Sequence, residues 1–254
     1  MKKMAIALST AALFTLPVQA DVLGVYVGGQ IWDNSSSGTV GERTNQQDFN
    51  LGGEQQGSFF IAVEHPLPFI PNVKVASTTL DSSGSTTLTA DFDFGGETFT
   101  EGTVISSDFN VDYVDYTLYY EIFDNGLFSF DIGLTGRDFG GDVKVSAPSV
   151  TTPSDTITGS ISTSEIVPML YVSTQIGIAA TDLNVYAEGN FLSLDDHTLY
   201  DYQAGISYEL IDNALIDVNL TLGYRAVSMQ LEDLNDLYTD IEFKGAYAGA
   251  VVHF

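Results

Sequence analysis

Cysteine is absent from the 254 residues, so no disulfide framework or thiolate metal site can hold this chain together. Positive charge is scarce as well, with eight Lys and Arg against 34 Asp and Glu, for a formal net charge of −26. A surface this acidic repels nucleic acid, and it repels anionic headgroups unless divalent cations intervene. After residue 20 no apolar run approaches the roughly eighteen residues that a membrane-spanning helix requires. Also missing are a serine-nucleophile motif, paired cysteine ligands and a glycine-rich phosphate loop with its lysine. No catalytic residue, metal ligand or cofactor is therefore read from the chain. Disorder is excluded by the opposite abundance: 44% hydrophobic residues, with 13 Tyr and 16 Phe, can bury ample apolar surface.

The first twenty residues have the three-part layout of a secretory signal peptide. Lys2 and Lys3 form a basic start, and an apolar stretch runs from Ala5 through Leu16. Val18 and Ala20 occupy the small-residue positions of a cleavage site, leaving Asp21 as the first mature residue. The expected organisation is a signal peptide over residues 1–20 and one domain over residues 21–254. Only Arg43, Lys74, Arg137, Lys144, Arg225 and Lys244 then remain as basic residues.

The mature chain is dominated by period-two alternation, the pattern of strands with one apolar face. Phe128, Phe130, Ile132 and Leu134 alternate with Ser129, Asp131 and Gly133. Ile216, Val218, Leu220, Leu222 and Tyr224 alternate with Asp217, Asn219, Thr221, Gly223 and Arg225. The same pattern recurs in ten segments, at about 22–32, 56–64, 71–80, 109–122, 127–138, 165–176, 183–192, 199–210, 214–226 and 241–254. Connections at 65–70, 123–126, 177–182 and 211–213 are short. Those at 33–55, 81–108, 139–164 and 227–240 are long and polar, and the short one at 193–198 is acidic. Short turns on one side and long loops on the other predict an all-β, transmembrane, antiparallel up-and-down β-barrel, with both termini in the periplasm. A soluble sandwich or lipocalin-like barrel has no reason to segregate its loops in this way. Ten strands is the expected count, with eight and twelve as alternatives. The stretch 86–104 is read as a hairpin extending strands three and four above the membrane.

Several segments carry a family resemblance. They are Gly24-Val25-Tyr26-Val27-Gly28-Gly29-Gln30-Ile31-Trp32, Glu64-His65-Pro66-Leu67-Pro68, Pro71-Asn72-Val73-Lys74, Leu118-Tyr119-Tyr120-Glu121, Pro168-Met169-Leu170-Tyr171, Gly223-Tyr224-Arg225 and the terminal Phe254. Together the chain resembles a proteobacterial outer-membrane β-barrel family with a glycine-glycine pair in the first strand, and more loosely the small OmpW-type barrels. The resemblance implies the cell outer membrane as location and no particular activity. It also implies that Phe254 is the C-terminal signal read by the barrel assembly machinery.

Parity assigns the charged side chains of the polar face to the lumen: Glu64, Lys74, Glu121, Asp131, Arg137, Glu188, Asp201, Glu209, Asp217 and Arg225. A narrow barrel leaves these groups to pair across its interior, so a packed polar plug is expected. Arg225 is expected to meet Asp201, since both lie at comparable distances from the tight 211–213 connection. Gly28 and Gly29 remove one side chain from each face of strand one, making room for a bulky lumen residue and a close neighbouring strand. Asp91 and Asp93 stand two apart, but without the spacing and glycine of a calcium loop. His197 follows Asp195 and Asp196, a trio that invites a hydrolase reading yet is also ordinary in a solvated loop. The expected function is a non-enzymatic outer-membrane barrel with a structural or surface-interaction role. A narrow pore for small or apolar solutes and an outer-membrane hydrolase are the alternatives. The expected partners are outer-membrane lipid, and lipopolysaccharide through divalent cations, with no nucleic acid.

Overall fold

The computed structural model describes residues 23–42, 45–149, 155–194, 197–213, 215–234 and 237–254; the expected signal peptide lies outside them. The elements are strands β1 (Gly24–Glu42), β2 (Asn45–Asp48), β3 (Gln55–Glu64), β4 (Asn72–Thr78), β5 (Asp81–Thr87), β6 (Phe92–Phe94), β7 (Glu97–Phe99), β8 (Val104–Asp124), β9 (Phe128–Pro148), β10 (Thr156–Gly177), β11 (Leu183–Leu194), β12 (His197–Asn213), β13 (Ile216–Leu234) and β14 (Leu237–His253). The wall is a closed antiparallel barrel of ten strands: β1, β3, β4 with its continuation β5, and β8 through β14. Closure comes from β1 and β14, which pair from Tyr26↔His253 to Gly41↔Tyr238. The last residue extends this seam, since Phe254 and Val25 exchange backbone hydrogen bonds of 3.0 and 3.3 Å. The eight- and twelve-strand alternatives are excluded. Across 81–110, β5 pairs with β8, and β6 and β7 form a separate small hairpin.

One end of the barrel carries the short turns and both described chain ends; it is called the turn end here, and the opposite one the far end. The far end corrects the expected long loops. Residues 33–42, 139–148, 156–164, 227–234 and 237–240 are strand rather than loop. The β8–β9 ladder continues as far as Ser106↔Ser146 and the β9–β10 ladder to Pro148↔Thr156.

The wall changes character along its length. Near the turn end, outward side chains are apolar and exposed, among them Ile61, Val75, Leu118, Leu134, Leu170, Ile206 and Leu222. They form a belt suited to hydrocarbon, with Tyr116, Tyr120, Tyr202, Tyr208 and Tyr224 also exposed on it. Toward the far end the polarity inverts. Outward positions become Ser106, Asp108, Asn110 and Asp112 on β8, while inward ones become Ile105, Phe109, Val111 and Tyr113. On β9 the inward series Phe139, Val143, Val145 and Ala147 succeeds Asp131, Thr135 and Arg137. On β13 and β14 it is Val227, Met229 and Leu231 with Ile241 and Phe243. Phe49, Leu51, Leu80, Leu88, Phe92, Phe94 and Phe99 from the β2–β8 excursion complete one continuous buried cluster. The far half is thus a largely apolar core enclosed by β-structure, with polar side chains outside, whereas the near half has lipid-compatible side chains outside and polar ones within.

Candidate functional site

The two halves meet at a layer of buried charge. Arg137 on β9 is fully buried, and its neighbour in register is Asp115 on β8. It donates from Nε to Asp115 Oδ1 and from Nη2 to Asp115 Oδ2, both at 2.7 Å, and from Nη2 to Asp201 Oδ2 at 2.7 Å. Arg225 on β13 stands opposite Gln203 in register and reaches diagonally to Asp201, with Nε to Oδ1 at 2.9 Å and Nη2 to Oδ2 at 2.8 Å. The expected Asp201–Arg225 contact is therefore present. Tyr113 donates to Asp201 Oδ2 at 2.6 Å and accepts from Arg225 Nη2 at 2.9 Å. Thr78 accepts from the same nitrogen at 3.3 Å. Aromatic faces complete the layer: the Arg137 guanidinium lies 3.7 Å from the Tyr113 ring centre, and that of Arg225 lies 5.2 Å from the Trp32 ring centre. Two guanidinium groups are balanced by two carboxylates, and forked hydrogen bonds offset much of the desolvation cost.

Below this layer lies a cavity of about 430 Å³, whose lining includes Tyr26, Phe60, Glu64, Lys74, Glu121, Asp131, Glu188, Asp217 and His253. Lys74 Nζ donates to both oxygens of Glu188, at 2.9 and 2.7 Å, and lies over the Phe60 ring. Gln203, opposite Arg225 in register, gives its amide to Glu188 at 2.9 Å. Tyr119 donates to Glu64 at 2.7 Å. His253 stacks on Tyr26 at 4.2 Å and meets Asp217 at 3.1 Å. Glu121 and Gln175 on the lining are exposed, so the space opens at the turn end. Glu209 lies apart from the cavity lining, half-buried near the turn end, where its backbone amide donates to Asp182. The expected packed polar plug is found only at the charged layer. The near half is polar and partly hollow, while the far half is sealed by apolar packing.

Gly28 faces inward, and a Cβ there would come within 2.3 Å of the Phe60 ring, so this glycine admits a bulky lumen side chain. Gly29 faces outward, where a Cβ would make ordinary contact with the Ser58 carbonyl at 3.7 Å. Phe254 is exposed. Asp91 and Asp93 fix local structure: Asp91 accepts from the Glu101 amide at 2.8 Å and Asp93 from the Thr98 hydroxyl at 2.6 Å. His197 Nδ1 accepts from the Glu232 backbone amide at 3.3 Å; Asp195 and Asp196 lie outside the described residues. Asp115, Tyr113 and Trp32 were not among the expected site residues. The signal that finds them is parity, since Tyr113 and Asp115 continue the inward series of Thr117, Tyr119 and Glu121.

No protein-family model matches the chain, and no curated protein matches it in sequence. Among solved structures the chain is similar to the outer membrane protease OmpT from Escherichia coli, with a TM-score of 0.55 and 9% identity over 94% of this chain and 99% of that one. The transport unit of the autotransporter AIDA-I from Escherichia coli matches with a TM-score of 0.40 and 8% identity, over 98% of this chain and 96% of that one. Neisserial surface protein A matches with a TM-score of 0.31 and 11% identity, over 92% of this chain and 99% of that one. The first likeness is one of fold, and the lower-scoring two carry no further argument. The fold is that of an outer-membrane β-barrel.

Proposed function

We infer that this chain is a non-enzymatic outer-membrane β-barrel with a structural or surface-interaction role. In this reading residues 1–20 are removed on export, and both termini lie in the periplasm. The barrel assembly machinery reads Phe254, and the far end stands outside the cell among lipopolysaccharide bridged by divalent cations. The resemblance to the glycine-pair family belongs to the same proposal. The observation that carries it is the sealed lumen. A charged layer of Arg137, Asp115, Asp201, Arg225 and Tyr113 crosses the barrel, and a packed core containing Phe109, Phe139, Val227 and Phe243 lies beyond it. A solute pathway needs a continuous polar or water-filled route, and packed phenylalanine and valine side chains offer ions none. The barrel wall that rises past the apolar belt presents polar side chains to solvent, which suits contact with other molecules better than conduction. His197 spends its Nδ1 on a backbone amide rather than on a carboxylate, which favours the loop role over general-base chemistry.

Planar-bilayer recording of the purified full-length protein tests this reading. Silent membranes are expected at protein amounts that give clear steps with a porin control. Reproducible unitary steps would overturn it in favour of the pore.

A further inference from the structure

Among the described residues, the wall has a long open edge on β10. On one side β10 pairs with β9 from Thr156↔Pro148 to Ile176↔Phe128 without irregularity. On its other side it pairs with β11 only from Leu170↔Phe191 to Gly177↔Asn184. The reason is local. Pro168 has no N–H to continue the ladder, and β11 turns back into β12 at Leu194↔His197. Above that point, residues 156–167 of β10 have no sheet partner on the β11 side among the described residues.

Sheet edges in soluble and surface proteins are ordinarily blunted by lysine, proline, bulges or covering loops. This one, TITGSISTSEIV, has no lysine, proline or bulge, and Glu165 is its only charged side chain. Nor is it free to fray. Ile161 is buried and Ile157 packs against the far-half core. The β6–β7 hairpin backs the strand so closely that a Cβ on Gly159 would lie 2.0 Å from the Phe94 carbonyl oxygen. Thr156, Thr158, Ser160, Ser162 and Ser164 point outward and are exposed. The edge is therefore extended, held firm from inside and open along its backbone, which is the geometry to which an added strand pairs.

We propose that residues 156–167 of β10 dock an extended, cationic polypeptide segment, which adds as an antiparallel strand in the place that β11 leaves vacant. The inference rests on the surface-interaction reading and names the partner class. Charge selects the occupant: the chain carries −26, Glu165 on the edge is exposed, and Glu232 is exposed on the strand beyond the β11–β12 tip. Asp142 on the adjoining β9 is already paired with Lys144. A second copy in the same membrane is a poor occupant. Its β10 would run in the same sense and cross at twice the strand tilt, and it would bring the same negative charge.

The test uses the full chain in lipid nanodiscs and, as probe, an N-acetylated twelve-residue peptide of alternating Thr and Lys. Bound peptide is expected to slow hydrogen exchange at every second amide of residues 156–167. A peptide N-methylated at alternate residues is expected to lose that protection. Thr158→Lys combined with Ser162→Lys alters only exposed side chains and is expected to weaken binding about tenfold, from two rim repulsions. Any of four results would overturn the proposal: slow exchange on this edge without peptide, protection elsewhere only, equal binding of the N-methylated peptide, or protection traced by cross-linking to a second copy. Channel activity in the bilayer experiment would overturn the surface reading itself. A silent bilayer with an unprotected edge would overturn this inference alone.

Discussion

Asp201 holds two guanidinium groups, and this sets an order of sensitivity within the buried layer. Truncating Asp201 to Ala leaves Arg137 paired with Asp115 and strips Arg225 of its carboxylate partner, with the two guanidinium groups close together. The expected cost is about 3–5 kcal/mol, the range for breaking a buried ion pair. Arg225→Ala is expected to cost less, since Asp201 keeps Arg137 and Tyr113. Denaturant titration of the folded, heat-modifiable form in micelles measures both, and equal or reversed costs would contradict the shared-carboxylate geometry. At Gly28 the argument is steric. Gly28→Ala sets a methyl against the Phe60 ring at 2.3 Å and is expected to destabilise by about 1–3 kcal/mol through overpacking. Phe60→Leu in the same chain should recover most of that loss; additivity of the two substitutions would show that the contact is not the cause.

At the scale of strands and turns, the topology makes a labelling prediction. Asn125 sits in the turn between β8 and β9, and Asp155 immediately precedes β10 at the opposite end. In intact cells, Asp155→Cys is expected to react with a membrane-impermeant thiol reagent and Asn125→Cys is not; the opposite pattern would invert the orientation. The start of β5 makes a prediction about pH. Burial, then the charges of Asp112 and Glu54, push the Asp81 carboxyl above its ordinary value. The folded state therefore holds this proton more tightly than the unfolded chain does. The contribution favours folding at low pH and is lost as pH rises from the ordinary aspartate value through the raised one. Asp81→Asn should remove that slope and slow neutral-pH exchange at the β5–β8 seam; a slope unchanged in the variant would assign it to other groups. The ten strands were legible because each crosses the apolar belt with apolar side chains on one parity. The upper strands were not, because the parity itself switches. Phe128, Phe130, Ile132 and Leu134 are even-numbered and face out, whereas Phe139, Val143 and Val145 are odd-numbered and face in. A reading that carries one parity forward meets this switch as a loop. Most lumen charges fell on the legible side of it. Asp115 and Tyr113 sit at the boundary, and the Asp115–Arg137 pairing depends on cross-strand register that one strand's pattern does not contain.

The molecule as a whole is sealed by two different means, and they separate experimentally. Arg137→Ala with Arg225→Ala should enlarge the turn-end cavity and lower stability, yet leave planar bilayers silent, because the apolar cluster beyond the layer persists. Conductance in that double variant would locate the whole barrier in the charged layer. The inverted wall also fixes an order of events in time. The near half becomes stable only once lipid surrounds it, while the far half becomes stable only once water does. With the far end outside the cell, as proposed, the strands that carry Phe109, Phe139 and Phe243 traverse the bilayer before those side chains have anywhere to pack. The β6–β7 hairpin, which packs against β10 and nears β1, must be gathered in before the seam shuts. That seam joins β1 to β14, the first strand to the last, so the contact that encloses the core is also the slowest to find. Assembly of this barrel is then a race between threading and closure, in which a chain that closes early locks its own contents outside.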